Sequence, residues 1–531
     1  MSRRACLAAA FVLIGAFANA AGAKTLTYCA EGSPEGFDPA LHTDPATLDA
    51  SSQAVYNRLV QFKPGTTEIV PALAESWDIS KDGREYTFRL RPGVRFHTTA
   101  DFTPARELNA DDVIFSFERQ WRDDHPFHDY AGGTWPWFDG ISLPFALSAI
   151  RKVDDRTVTF VLQRPYAPFL ADLAMDFASI LSKEYADRLL AEGARERLDS
   201  QPVGTGPFRL AEYVPGAHVR YDRNPDYWRK PPPIDSLVFD ITPDSGVRLE
   251  KLKSGACQVI AAPSPADIPA IKAEPGLEVI EAGGLALAFL AFNTTEPPFD
   301  RARVRRAIAR AIDKDAIVAD VFKGAAVAAA SPLAPLMPGY DATAAEGHDV
   351  EAARQGLAAA GVVNAATRVW VLPAQRPYNP EPLRMAEMIK ADLDEVGIAA
   401  EIVSAPAEEF LGATLAADRK GSALLGWVSD NGDPDNLLAP LLGCDAVGVS
   451  NRALWCNARF DELLNQARVT TDSTARARFY KEAQRILAEE APIIPIAHGM
   501  VAVAAADTVR GLLADPFGRH NFEAVDLVER P

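Results

Sequence analysis

Apolar residues along this chain recur with two different periods. In Tyr86-Thr87-Phe88-Arg89-Leu90-Arg91 every second side chain is apolar, which is the period that lays one face of a strand on a core. A Lys81-Asp82-Gly83 turn precedes the segment and Pro92-Gly93 follows it, so a hairpin strand is predicted. Thr157-Val158-Thr159-Phe160-Val161-Leu162, after a turn at Asp154-Asp155, is predicted to be a second strand of the same kind. Between Phe299 and Val318 the period changes. Val304, Ala307, Ile308, Ala311 and Ile312 share one helical face, with Arg303, Arg305, Arg306 and Arg310 on the others. Asp300 is placed to cap that helix, and Asp313 to cap a second one through Ile317 and Val318.

A βαβ unit is predicted next. Arg368-Val369-Trp370-Val371-Leu372 is a strand, and 382–396 is a helix with Met385, Ile389, Leu393 and Val396 on one face. Gly397 closes the helix, and 398–403 is the following strand. Ala423-Leu424-Leu425-Gly426-Trp427 is another short buried strand. Alternating strands and helices with Pro/Gly turns predict an α/β fold. No internal repeat of 20 to 50 residues is visible.

The first 23 residues stand apart. Arg3 and Arg4 precede a short apolar run, Ala5 to Phe17, and the small residues 18–23 offer two A-x-A sites ending at Ala20 or Ala23. The run is shorter than the ~20 residues that span a bilayer, so a cleaved secretory signal is expected at 1–23, with delivery to the periplasm. Cys6 lies at the very start of the apolar run, whereas a lipid-modified cysteine would follow it, so a lipoprotein is not expected.

The chain of 531 residues carries 54 Lys plus Arg against 72 Asp plus Glu, a net charge of −18. That balance gives no footprint for phosphate backbones, so nucleic acid is excluded as the main ligand and the arginines of 303–310 read as a solvated face. Its 48% hydrophobic and 24% charged residues fit a soluble globular protein. Loss of 1–23 removes two arginines and Cys6, leaving a charge of −20 and four cysteines: Cys29, Cys257, Cys444 and Cys456. Four cysteines in an oxidising compartment allow three disulfide connectivities. No CxxC or ligand spacing points to zinc, and no metal or other cofactor is expected.

Two loops leave the carboxyl ends of predicted strands, where α/β sheets bind ligands. The first, Pro373-Ala374-Gln375-Arg376-Pro377-Tyr378-Asn379, offers one cation, Arg376, suited to a carboxylate. The second runs from Val428 to Asn436 and holds Asp430, Asp433 and Asp435. Counted from Asp430, the positions where a calcium loop needs oxygen donors hold Gly432, Pro434 and Asp435, so calcium is not expected. Asp433 or Asp435 is expected to cap the helix starting near Leu437, leaving Asp430 to face a cleft. The His125-Pro126-Phe127-His128 cluster is expected to be an exposed loop. G-x-S-x-G, S-x-x-K, H-E-x-x-H and a phosphate-binding glycine loop are all missing, so an enzyme is not expected.

Several long segments carry a resemblance. PALAESWDISKDGREYTFRLRPGVRF at 71–96, NADDVIFSFER at 109–119, GTGPFRL at 204–210, NPDYW at 224–228 and PPFDRARVRRAIARAIDKDAIV at 297–318 resemble the family 5 extracellular solute-binding proteins of ABC importers. KTLTYCAEGSPEGFDP at 24–39, FLADLAMDFASILSKEYAD at 169–187, QRPYNP at 375–380 and NGDPDN at 431–436 are similar to its dipeptide-carrying members.

The resemblance implies a class II two-lobed periplasmic-binding-protein fold of the large peptide-binder type, with an extra N-terminal subdomain. Lobe I is expected at 24–284, with 502–531 returning to it, and lobe II at 285–501, hinged at strands near 284–293 and 494–501. It also implies disulfides Cys29–Cys257 and Cys444–Cys456. In such carriers the aspartate matching Asp430 meets the ligand's amine and the arginine matching Arg376 its carboxylate. Gly426, Trp427 and Tyr378 hold the peptide bond, and Thr43 lies on a lobe I loop near the ligand. The implied partners are a dipeptide or similar small peptide, an inner-membrane permease with its ATPase subunits and, for some carriers, a chemoreceptor, with the carrier a monomer. Relatives on this fold carry glutathione, haem, δ-aminolevulinate, opines or metal chelates, which form the alternative ligand class; a secreted hydrolase is the alternative from another class. Two departures bear on preference: Thr43-Asp44-Pro45-Ala46-Thr47 replaces a Thr-Ser-Gly-Thr-Thr stretch, and Val428-Ser429 replaces Thr-Gly beside Asp430. Asp44 adds a charge there and Pro45 lacks a backbone donor.

Overall fold

The computed structural model describes residues 23–342 and 346–529; the expected signal segment lies outside the described residues apart from Ala23. Among the described residues, eleven strands form one mixed sheet. Its path runs from Ile398–Ser404 through Ala365–Val371, Ser422–Val428, Leu277–Phe292, Ile493–Ala506, Val259–Ile260, Thr25–Ala30, Ser236–Ile241 and His218–Arg223 to Phe208–Val214, with Ala326–Ala328 paired to Ile493–Ala506 off the path. A separate four-stranded antiparallel sheet joins Ala74–Ile79, Glu85–Leu90, Thr157–Leu162 and Leu147–Asp154, so both predicted hairpin strands lie side by side. Helix Ala110–Trp121 begins at a capping box in which Asn109 and Asp112 satisfy each other's backbone N–H groups.

The long strand Leu277–Phe292 explains how one sheet serves several cores. Its last residues are an unbroken apolar run, as expected of a strand buried on both faces. Ala288, Leu290 and Phe292 pack into one core with Val304, Ile308, Val369, Met385 and Ile389, whereas Leu287, Phe289 and Ala291 pack on the other face with Leu437, Leu441 and Tyr480. Its first half faces a third core, built from residues between Leu26 and Ala261 and again between Val503 and Val525. The antiparallel partner Ile493–Ala506 follows the same division. The ladder between the two breaks between Gly283 and Leu287. There a Cβ on Gly284 would lie 2.7 Å from the Gly499 carbonyl oxygen, so the two backbones approach as only glycine permits. Disulfides join Cys29 to Cys257 and Cys444 to Cys456.

Several local expectations change. The first predicted helix spans Ala302–Ala311 with Arg301, not Asp300, at its N-cap and no side-chain cap; Asp313 does cap Lys314–Val321 through the Ala316 N–H. Arg305 is not on a solvated face. It is buried, and its guanidinium donates to the Phe299 carbonyl at 2.6 Å and to the Glu490 and Ala491 carbonyls at 2.9 and 3.1 Å, at the C-terminal end of helix Ser473–Glu490. The histidine cluster is also not an open loop. Phe127 is buried and the His125 ring packs 5.5 Å from Phe115, with burial lowering its pKa to about 4.

One buried carboxylate lies where the first core meets the others. Asp172 accepts from Asn431 Nδ2 at 2.7 Å, and burial lifts its carboxyl from 3.8 to about 7, with the charges of Asp433 and Asp435 adding to the rise. A raised acid holds its proton in the folded state at pH values where the unfolded chain has released it. Stability from this group is therefore full below about 4 and is lost as pH rises to about 7. Asp172→Asn is expected to match the parent protein at pH 4 and to exceed it in stability at pH 8. Denaturant unfolding of both proteins at both pH values checks this; an equal difference at the two pH values would contradict it.

Candidate functional site

The parallel strands Ala365–Val371 and Ser422–Val428 pair with Val369 opposite Ser422 and Val371 opposite Leu424, so their following loops emerge together at the carboxyl edge. The first loop folds back on itself. Arg376 N–H donates to the Asn379 carbonyl at 3.0 Å and Asn379 N–H returns a bond to the Arg376 carbonyl at 2.8 Å. This tight turn presents an exposed Arg376 that makes no ion pair with a described residue. The Tyr378 ring lies on Gly426, where a Cβ would stand 2.2 Å from Tyr378 Cγ and 2.4 Å from the Leu287 carbonyl. Glycine at 426 is what lets the ring close on the strand. Burial raises the Tyr378 phenol above its ordinary value, against the opposing charge of Arg376 beside it. Trp427 packs toward the core that contains Leu437, and its indole nitrogen is buried without a partner.

In the second loop only one acid stays free of cations. Asp433 is held by Arg476 at 2.8 and 3.0 Å and Asp435 by Arg468 at 3.1 and 3.0 Å. Helix Asp435–Leu442 therefore has Pro434 at its N-cap and no side-chain cap, although Asp433 accepts the Asp435 N–H at 3.0 Å. Asp430 is fixed by Asn436, which accepts its N–H at 2.9 Å and donates to its carboxylate at 3.3 Å. Burial, opposed by the Asn436 bond and by Arg519, raises the Asp430 carboxyl. A half-buried carboxylate with no ion pair among the described residues is a receptor for a cation.

Asp430 opens into a cleft of about 460 Å³. Val428, Ser429 and Pro377 form one wall and Glu31, Thr43, Pro45, Arg58, Asp176, Arg519 and His520 the other, with Gly284–Ala286 and Gly499–Val501 between them. An adjoining space of about 350 Å³ is lined by Arg376 and shares Pro377, Met500, Asp515 and Arg519 with the first. The structure thus brings Asp430 and Thr43 into one compartment and Arg376 into the next, while Gly426, Trp427 and Tyr378 stand behind them. Asp44 does not bring its charge to the ligand. It caps helix Pro45–Leu48, accepting the Thr47 N–H at 2.8 Å, and Pro45 sits where a helix has no use for a backbone donor.

Sequence reasoning missed the opposite wall. Asp176 takes Arg519 Nε at 2.8 Å and Arg58 Nη1 at 3.3 Å, and Asp49 takes His520 Nδ1 at 2.6 Å. Arg519 and His520 lie in irregular chain after the last long strand, where no periodicity marks them; Asp176 lies within the 169–187 segment but in a short turn of helix.

The family model for bacterial extracellular solute-binding proteins, family 5, matches residues 68–448. The chain belongs to that family. It is 47% identical over 508 residues to the dipeptide-binding protein of Escherichia coli strain K12, covering 95% of each chain. It is 44% identical over 512 residues to heme-binding protein A of Haemophilus influenzae, covering 96% of this chain and 93% of that one. Among solved structures, the dipeptide-binding protein of Pseudoalteromonas sp. SM9913 in complex with Met-Leu is 38% identical, with a TM-score of 0.74 over 95% of this chain and all of that one. Family members of this kind have two lobes and bind solutes.

Proposed function

We propose that this family 5 protein is the periplasmic substrate-binding component of an ABC importer, capturing dipeptides between two lobes and delivering them to an inner-membrane permease. The observation that carries the reading is the pair of uncompensated charges on adjacent strand-end loops: Asp430 without a cation and Arg376 without an acid. A zwitterionic dipeptide offers the complementary pair, its charges separated by about 7 Å at ~3.3–3.6 Å per residue. Asp430 takes the amine and Arg376 the carboxylate, Tyr378 packed on Gly426 backs the turn that carries Arg376 with Trp427 beside it, and Thr43 closes from the far wall. Water fills what a small side chain leaves. The dipeptide-binding relatives support this choice of ligand.

In this reading lobe I is 24–284 with 502–531, lobe II is 285–501, and the glycine-rich ladder break at Gly283, Gly284 and Gly499 is the hinge on which they close. The segment 1–23 is removed on export, and the carrier acts as a monomer that binds and releases its solute unchanged. The haem-binding relative supports the alternative ligand class; a dipeptide, like other zwitterions, gives both unpaired charges a partner, and the dipeptide-binding relatives favour it. Native mass spectrometry of the purified protein tests the choice: a co-purified mass distribution of two-residue peptides is expected, and a porphyrin or a γ-glutamyl tripeptide mass would overturn it.

A further inference from the structure

Charge bookkeeping across the cleft leaves one group unused. Arg58 and Arg519 are both held by Asp176, and Asp515, on the wall shared by the two compartments, lies within their field. Two cations therefore face two acids. His520 is matched by Asp49 at 2.6 Å. Asp430 and Arg376 are assigned to the ends of the ligand. Glu31 remains. It follows strand Thr25–Ala30 directly, at the carboxyl edge where parallel neighbours Ser236–Ile241 and Val259–Ile260 also end, and it lines the same compartment as Asp430. Glu31 is exposed, lines the cleft and forms no hydrogen bond or ion pair with a described residue; His520, which lines the same cleft, is already bonded to Asp49.

We propose that Glu31 is a specificity-determining residue that favours ligands carrying a basic side chain, lysine or arginine, on the residue bearing the α-amine. The assignment rests on the dipeptide reading above. It follows from placement: Glu31 shares the compartment of Asp430 and not that of Arg376, so it faces the amine end of the ligand. A free carboxylate on a cleft wall attracts a cationic side chain and disfavours an acidic one, and like charges brought together count more than a surface pair does.

Calorimetry with Lys-Ala, Met-Ala and Glu-Ala on the mature protein and on Glu31→Gln tests this. Lys-Ala is expected to bind about fivefold tighter than Met-Ala and at least about tenfold tighter than Glu-Ala, and Glu31→Gln is expected to bring Lys-Ala down to the Met-Ala level. Equal affinities for the three peptides in the parent protein would overturn the inference. So would a Glu31→Gln loss of the same factor for Lys-Ala and Met-Ala, which would make Glu31 a holder of the α-amine. Failure of all three to bind would overturn the dipeptide reading itself, and the inference with it; Met-Ala, which does not depend on Glu31 in this account, separates the two failures.

Discussion

Replacing Asp430 with Asn is expected to weaken dipeptide binding by about a hundred- to several-thousand-fold, the equivalent of the roughly 3–5 kcal/mol lost when one partner of a desolvated charge pair is removed. The unliganded protein is expected to keep or gain stability at the same time. Its carboxyl is raised by burial, so at neutral pH the folded state bears a charge it has no partner to offset, and Asn removes that cost while retaining a polar group for Asn436. The same raised value gives binding a pH dependence. The α-amine needs the carboxylate, so affinity is expected to fall as pH drops through the raised pKa, and this fall is absent in Asp430→Asn. Calorimetry and thermal unfolding of the two proteins check both halves; unchanged affinity would mean that another acid holds the amine.

The second large effect is on stability. Arg119 and Asp38 are both buried, joined by paired hydrogen bonds, the second at 2.8 Å, with Tyr130 donating to the same carboxylate and the guanidinium 4.9 Å above the Trp135 ring. Arg119→Met would leave Asp38 charged and unpaired in the first core, and a loss of about 3–5 kcal/mol is expected. Changing both, Asp38→Leu with Arg119→Met, is expected to recover part of that loss, because the uncompensated charge is gone. Denaturant unfolding followed by tryptophan fluorescence measures the three proteins. A double variant less stable than Arg119→Met would show that the pair contributes more than mutual neutralisation.

Much of the architecture is legible in the chain because period and punctuation agree. The alternation of Tyr86, Phe88 and Leu90 became a central hairpin strand, and the βαβ unit at 365–404 appeared with its parallel pairing and with Gly397 at φ 84°, a conformation that only glycine adopts freely. What failed was what depends on contacts far apart in sequence. Asp300 has the right spacing for a cap, but it takes no helix N–H, and Arg305, placed on a solvated face by the pattern, is instead buried against carbonyls at the end of helix Ser473–Glu490. Asp433 and Asp435 look like caps in a window of ten residues, yet Arg468 and Arg476 claim them from two later helices. That capture is also why Asp430 is left without an ion pair among the described residues of this loop. The wall made by Arg58, Asp176, Arg519 and His520 could not be read locally, because it assembles from three separated stretches of the chain.

The central claim is that Asp430 and Arg376 together measure the distance between the two ends of a ligand. Calorimetry of the mature protein with alanine peptides of two, three and four residues tests it most directly. The dipeptide is expected to bind at least about tenfold tighter than either longer peptide, since a third residue carries one terminal charge past its partner by about 3.3–3.6 Å. Tripeptide binding equal to or tighter than that of the dipeptide would contradict the account.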